Sequence, residues 1–482
     1  MSQESVSFRE RIARQFGFAL KDQNPNIRFL ALEGLQFLKG CPECELVCNL
    51  LVDPDRFVKW KAIQVSGLLG QRAAIPLLLK NLNSLDLYTR SFSAVALGQI
   101  GDPATLPKLI ELSERETSPK VRQQIIRWAD RFAPNIPWDF VGKCSFDPDV
   151  GVRSETVRLL SFLPDRPESC PILINILERE TDTHVFASAL LALGRYRRPE
   201  ILSYFQHSLL HQENRIRANA VEALGAYSFE EIEKIITPFL NDPSNRVKAN
   251  VISIYFRNGL GTKVHWELQK LLTSANRWER ASGAWVAGAY KVSNQLPQLL
   301  ALVQEEEAVV AERSAWALGK IRAPGTMAAL LKAYEKGNQW ALSNIIRAMG
   351  GIADQNDLTA ILKIFAKERN PMLKAQLIDL LTMLKAGKAK EVVQKQLSEG
   401  EQRIRASAYT FLGTLDPQGS AETLLQGLSD QHHKVRAVCA DLMVKNGDFR
   451  SLKVLSDSLN EQDKLQRVQV TQTLRDLAEK MR

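Results

Sequence analysis

One short pattern recurs along the whole chain at a nearly constant interval, and that interval limits what the chain can fold into. Its clearest copy, NRIRANAVEALG at residues 214–225, returns as KVRQQIIRWAD, RVKANVISIYF, RIRASAYTFLG and KVRAVCADLMV. Aligned on the residue equivalent to Arg217, the anchors are Arg28, Lys59, Arg90, Arg122, Arg153, Phe186, Arg217, Lys248, Arg280, Ala311, Leu342, Lys374, Arg405, Arg436 and Arg467, spaced 31 to 33 residues apart. With a rise of 1.5 Å per residue, this period accommodates two helices of about 11 to 13 residues and two tight turns.

The turn chemistry agrees. In ALGQIGDPATLPKLIEL, Gly98 and Gly101 can adopt the left-handed conformation that closes a helix, Asp102 can cap the next one, and Pro103 suits its first turn. Leu-Gly or Met-Gly endings return at Leu193-Gly194, Leu224-Gly225, Leu318-Gly319, Met349-Gly350 and Leu412-Gly413. One such hairpin cannot bury its apolar face alone, whereas stacked copies share one elongated core. The expected fold is all-α, an α-solenoid of about fifteen helical hairpins. No Gly/Ser-rich linker interrupts the period, so a single continuous domain over 1–482 is expected. The proline-bearing stretches 133–144 and 163–171 are places where helices start late and the array can bend. Residues 468–482 are more polar and suit a terminal cap.

Composition narrows the class. The chain is 45% hydrophobic and 24% charged, which supplies apolar material for a long core. Arg9, Glu10, Arg11 and Arg14 interrupt the stretch where a signal peptide would be apolar, and no apolar run is long enough to span a bilayer. Six scattered cysteines do not make a disulfide framework, so a reducing, cytoplasmic setting is expected, without membrane insertion. The net charge of +9 favours anionic partners without naming one.

Six residues before the anchor the chain is acidic in eleven repeats, at Asp22, Asp53, Glu116, Asp147, Glu180, Asp242, Glu305, Glu368, Glu399, Asp430 and Glu461. On these residues the chain resembles the HEAT-repeat family, and within it the short HEAT-like repeats of the phycobilisome-lyase type. The resemblance covers nearly the whole chain. It implies an inter-repeat ladder of acids and bases, with the anchor helices lining the concave side; it implies no activity, since architecture of this kind does not fix function.

Catalytic and metal motifs are sparse. Cys41-Pro-Glu-Cys44 followed by Cys48 has zinc-like spacing, but the second pair of ligands that a tetrahedral site needs is missing, and Cys44 and Cys48 read as small apolar residues one turn apart. No His-Glu dipeptide, HExxH, GxSxG, Walker loop or GxGxxG at a strand-to-helix junction occurs. No catalytic, cofactor or metal residue is assigned, and binding is expected rather than catalysis.

Binding residues emerge from comparing equivalent positions. Residues two before, two after and five after the anchor share one helix face. Over fifteen repeats these positions hold ten Lys or Arg (Lys61, Lys120, Arg127, Arg158, Arg215, Arg246, Arg313, Arg347, Arg403, Lys434) and five acids (Glu33, Glu155, Glu222, Asp379, Asp441), so a positive groove is expected. On the same face stand Trp278, Trp285, Trp316 and Trp340, with Asn219, Asn250 and Asn344 beside them, while Ala311 and Leu342 replace the basic anchor. Trp340 and Asn344 resemble the Trp/Asn pairs with which armadillo-type import receptors hold extended peptides. A second, apolar group comprises Leu30, Phe57, Tyr88, Phe92 and Val95 and suggests a partner or self-association surface.

The expected function is a non-enzymatic protein-binding scaffold whose basic, Trp-lined concave groove takes an extended or acidic partner. One alternative is nucleic-acid binding, since Arg with aromatic residues also suits single strands. The other, a chromophore lyase or chaperone-like factor, follows from the resemblance alone.

Overall fold

The computed structural model describes residues 3–39, 42–133, 135–163, 166–336, 341–459 and 464–481. Among them lie thirty α-helices, ten 3-10 helices and no strand. Each hairpin follows from local chemistry. The helix Leu87–Ile100 begins at Asp86, whose carboxylate accepts the Thr89 N–H, and ends on Gly101 at φ 67°. Asp102 caps the following 3-10 turn, and Pro107 occupies the first turn of Leu106–Arg115. The late helix starts fall where the prolines place them, Trp138–Ser145 directly after Pro137 and Ser169–Arg179 after Pro167.

The Leu-Gly endings serve a purpose other than the one expected. Gly98 is helical and only Gly101 is left-handed. A Cβ on Gly98 would lie 2.4 Å from the Trp128 Cβ, and one on Gly194 would lie 2.8 Å from that of Ala223. These glycines let one anchor helix approach the next, so the motif sets helix spacing rather than helix termination.

The chain comprises two compact units, Phe186–Leu415 and a second made of Met1–Val185 with Asp416–Arg482. Within each, the predicted acid–base ladder is present, and its rungs run from one repeat to the next. Arg28 pairs with Asp53, Arg90 with Glu116, Arg122 with Asp147 and Arg153 with Glu180 in the first-and-last unit; Arg217 with Asp242 and Arg280 with Glu305 belong to the other. The geometry explains the preference for arginine. Nε and Nη2 of Arg122 both bond the Asp147 carboxylate, while Nη1 donates to the carbonyls of Glu116 and Thr117 in its own preceding turn. The carboxylate in turn accepts the Asp149 N–H. A lysine cannot make both sets of contacts from one ammonium.

The carboxyl-terminal segment corrects an expectation. Helix Lys464–Lys480 is not a solvent-facing cap: it packs against His433–Lys445 and against Pro25–Leu35, burying Val470, Leu474 and Leu477. Arg467 meets Asp22 at 3.4 Å and Arg475 meets Glu33 at 3.4 Å. The last anchor thus pairs with the first acid, and the polar residues that suggested a cap lie in a second helix–helix contact.

The ladder predicts an acid-labile stability. Hydrogen bonds from Arg90 hold Glu116 below the usual glutamate range, and at Asp147 the opposing effect of burial is outweighed by hydrogen bonds from Arg122 and the Asp149 amide. A carboxylate whose folded pKa lies below its unfolded value, about 4, stabilises the fold above pH 4 and loses that contribution as pH falls through the folded pKa. Urea unfolding should therefore show stability constant from pH 7 to about 5 and falling below about 4. Asp147→Asn should cost about 2 kcal/mol at pH 7 and flatten this dependence.

Candidate binding site

Trp278, Trp285, Trp316, Asn219, Asn250, Asn344, Arg215, Arg246, Arg313 and Arg347 lie in the Phe186–Leu415 unit, on helices Asn214–Leu224, Asn245–Arg257, Arg277–Ala289, Ala308–Ile321 and Leu342–Gly350. These anchor helices pack in sequence, each on the next. Trp340 lies outside the described residues. Trp278 and Trp285 are 51% and 38% exposed, which removes them from the core, and Arg246, Arg313 and Arg347 are exposed as well.

The structure divides the expected patch into two cavities. The first, of about 560 Å³, is lined by both exposed indoles with Arg246, Asn250, Arg257 and Arg313. Asn245 holds its floor by donating to the Trp278 carbonyl at 3.2 Å and the Ser282 hydroxyl at 2.7 Å. Glu222, 3.7 Å from Arg246, is the acid in its lining. Arg257 and Arg313 form no ion pair among the described residues, so the cavity carries a positive surplus beside two apolar ring faces.

The second cavity, of about 550 Å³, is lined by Trp316, Asn344 and Arg347 together with Lys291, Lys320 and Arg322. Trp316 is half-buried, its ring lying where a Cβ on Gly288 would approach to 2.6 Å, and the Lys320 ammonium sits 6.0 Å from its centroid. Lys291, Lys320 and Arg322 escaped the sequence reading because they are nine or eleven residues after the anchor, on the last turn and the loop beyond. A signal existed: the position eleven after the anchor is glycine in four repeats and Lys or Arg in these.

Two asparagines have structural duties. Asn219 is buried, donating to the Ala187 carbonyl at 2.9 Å and accepting from Arg246 at 2.8 Å. It supports the first cavity without lining it, which corrects its expected part in gripping a ligand. Asn250 reaches the lining, but its amide nitrogen is spent on the Ala218 carbonyl at 2.9 Å. By contrast, Asn344 spends no amide hydrogen bond on a neighbouring helix among the described residues. Arg215 is half-buried and lies outside both linings.

Elsewhere, Phe57, Tyr88 and Phe92 gather around Trp60, with ring centroids 5.0 to 6.2 Å from it. The Trp60 N–H is satisfied by Asp86 and Thr89. Phe57 and Tyr88 are half-exposed, so the apolar group does reach the surface. Of the amino-terminal cysteines, Cys44 is buried, Cys48 is half-buried with its thiol 3.1 Å from the Gln71 amide oxygen, and Cys41 lies outside the described residues. Among the described residues no three His, Cys, Asp or Glu side chains converge as metal ligands, and no helix is long and apolar enough to cross a membrane.

Comparison with known proteins fits this architecture. The profile of HEAT repeats matches residues 44–129, 141–224 and 296–382, more than half of the chain, and the chain belongs to the HEAT-repeat family. No curated protein sequence matches it. Among solved structures, yeast importin-β (Kap95p) superposes with a TM-score of 0.53 at 12% identity, over 99% of this chain and 78% of that one. The karyopherin Kap121p bound to the extreme carboxyl terminus of the protein phosphatase Cdc14p gives 0.49 at 12% identity, over 96% and 65%. Escherichia coli YibA gives 0.37 at 19% identity, over 49% and 90%. At such identities the likeness to importin-β establishes a shared fold and nothing further.

The division of labour among these residues is measurable in urea. Asn219→Ala, which strands a buried carbonyl, should destabilise the protein by about 1 to 3 kcal/mol. Trp278→Ala and Trp285→Ala should each stay within about 1 kcal/mol of the parent, because their rings lie largely outside the core.

Proposed function

We propose that this chain is a non-enzymatic protein-binding scaffold, and that the basic, tryptophan-lined face of its Phe186–Leu415 unit takes an extended or acidic segment of a partner protein. The observation that carries this reading is the pair of exposed indoles, Trp278 and Trp285, two turns apart on one helix and flanked by Arg246 and Arg313 on the helices to either side. Large aromatic faces left in water beside guanidinium groups, of which Arg313 forms no ion pair among the described residues, are the composition of an interface anchor. The period of 31 to 33 residues and the acid–base ladder support the short, phycobilisome-lyase type of repeat in one continuous array over 1–482. Five free thiols among the described cysteines, with burial pushing Cys144 up to about 12, support a reducing, cytoplasmic setting.

Selection of peptides from a displayed random library on the full chain tests the proposal. Selected sequences should be enriched in Asp and Glu, and Trp285→Ala combined with Arg313→Glu should weaken their binding by about 2 kcal/mol with the fold intact. Equal binding by parent and double variant would remove this face as the site. Tighter binding of single-stranded nucleic acid, with affinity falling steeply as salt rises, would favour the nucleic-acid reading instead.

A further inference from the structure

The second cavity holds positive charge that the fold does not explain. Lys291, Lys320, Arg322 and Arg347 converge on it, and no acidic residue among those described lines it. Like charges gathered in this way repel one another and raise the free energy of the folded chain.

Two of the four carry an added backbone cost. Lys291 and Arg322 lie at φ 53° and 56°, in the left-handed region that costs a residue with a Cβ about 1 to 2 kcal/mol. The fold has a cheaper solution at this position and uses it: Gly70, Gly101, Gly259 and Gly447, each eleven residues after its anchor, take the same turn at φ 66° to 81°. All four non-glycine residues of positive φ among those described are Arg or Lys, namely Arg197, Lys291, Arg322 and Lys385, and all lie in the Phe186–Leu415 unit. A cation after a helix carboxyl terminus gains about 0.3 to 1 kcal/mol from the exposed carbonyls. That gain offsets part of the strain, yet it does not account for Lys320 and Arg347, which line the same cavity.

We propose that this cavity binds the phosphate of a phosphorylated serine or threonine in an extended segment of the partner, a ligand assignment that rests on the protein-binding reading above. A phosphomonoester brings about −1.5 to −2 charges and three acceptor oxygens, which two guanidinium forks and two ammonium groups can share. A single carboxylate would leave most of the positive charge uncompensated. The Trp316 face walls the space beside the anion, and Asn344 offers an amide donor and acceptor to a peptide backbone.

The test uses the full chain, labelled degenerate peptides with a fixed central phosphoserine, the same peptides with serine, orthophosphate as competitor, and a single-stranded oligoribonucleotide. Phosphopeptides should bind about tenfold or more tighter than serine peptides, with orthophosphate competing. Lys291→Gly combined with Arg322→Gly relieves the left-handed strain while deleting two cations. This variant should unfold at the same or a higher temperature and lose the phosphate-dependent gain. Equal affinity for phosphoserine and serine peptides, retention of the gain in the double-glycine variant, or tighter binding of the oligoribonucleotide than of either peptide would each overturn the proposal. If both peptide sets bind equally but are lost in the Trp285→Ala, Arg313→Glu variant, the protein-binding reading stands and the phosphate assignment falls.

Discussion

Where the anchor is an arginine, its guanidinium is the contact that orients one repeat on the next. Apolar burial between hairpins supplies most of the stabilisation, but it is non-directional and would tolerate many rotations of one repeat on the next. Arg90 removes that freedom. Its Nη1 fastens to the carbonyls of Ser84 and Leu85 in its own turn, while Nε and Nη2 grip both oxygens of Glu116 in the following repeat. One planar group thereby fixes a turn, a helix start and the angle to the neighbour. Because these side chains are largely buried, the pairs are screened less than surface salt bridges and act as orienting contacts.

The rung is missing where the candidate site lies. Ala311 and Leu342 stand in the anchor position, and both are buried apolar residues. Glu368, left without an arginine from the preceding repeat, instead accepts a hydrogen bond from the Tyr334 hydroxyl. The helices that carry Trp316 and Asn344 therefore have a buried apolar residue at the position where other repeats are clamped. Close approach, which clamped repeats share at Gly98, persists without the clamp: a Cβ on Gly319 would lie 3.1 Å from the Ala348 Cα, and one on Gly288 would lie 2.7 Å from that of Ala317. The two devices differ in what they leave free. A ladder arginine is consumed by its contacts, whereas backbone proximity leaves every charged side chain on these helices available to a ligand.

Much of the fold was legible because it is repetitive. A period seen fifteen times averages out the ambiguity of any one turn, and the alternation of acid and arginine six residues apart has few structural uses other than bridging neighbours. The site was less legible, for reasons that individual residues make plain. Asn219 and Asn250 occupy equivalent positions beside the tryptophans, yet both amides bond a carbonyl of the preceding anchor helix, a duty that no sequence pattern distinguishes from ligand binding. Counting charges on the predicted face says nothing of how they are distributed. Lys61, Arg127 and Arg158 are neutralised by Glu33 and Glu155, and Arg246 meets Glu222, whereas Lys120, Arg313, Arg347 and Lys434 form no ion pair among the described residues. Lys291 and Arg322 went unnoticed because a search confined to helix faces passes over the turn. The carboxyl-terminal helix was misjudged because a polar sequence describes a solvent-facing cap and a helix joined to its neighbours by ion pairs equally well.

The turn position shows how a repeat protein can acquire a site without disturbing its stack. Residues inside an anchor helix are constrained on both sides by adjacent repeats, as the contacts at Gly98 and Gly194 show, and substitution there propagates into packing. The residue eleven after the anchor has no such close neighbours: a Cβ on Gly70, Gly259 or Gly447 would meet nothing within 4 Å, and one on Gly101 only an ordinary contact with Arg131 at 3.6 Å. Replacing glycine at that point costs a bounded amount of backbone strain and leaves the core untouched. A chain that accepts this cost at four of its described residues, each time with a cation and each time within one unit, has placed its charge where the architecture resists it least.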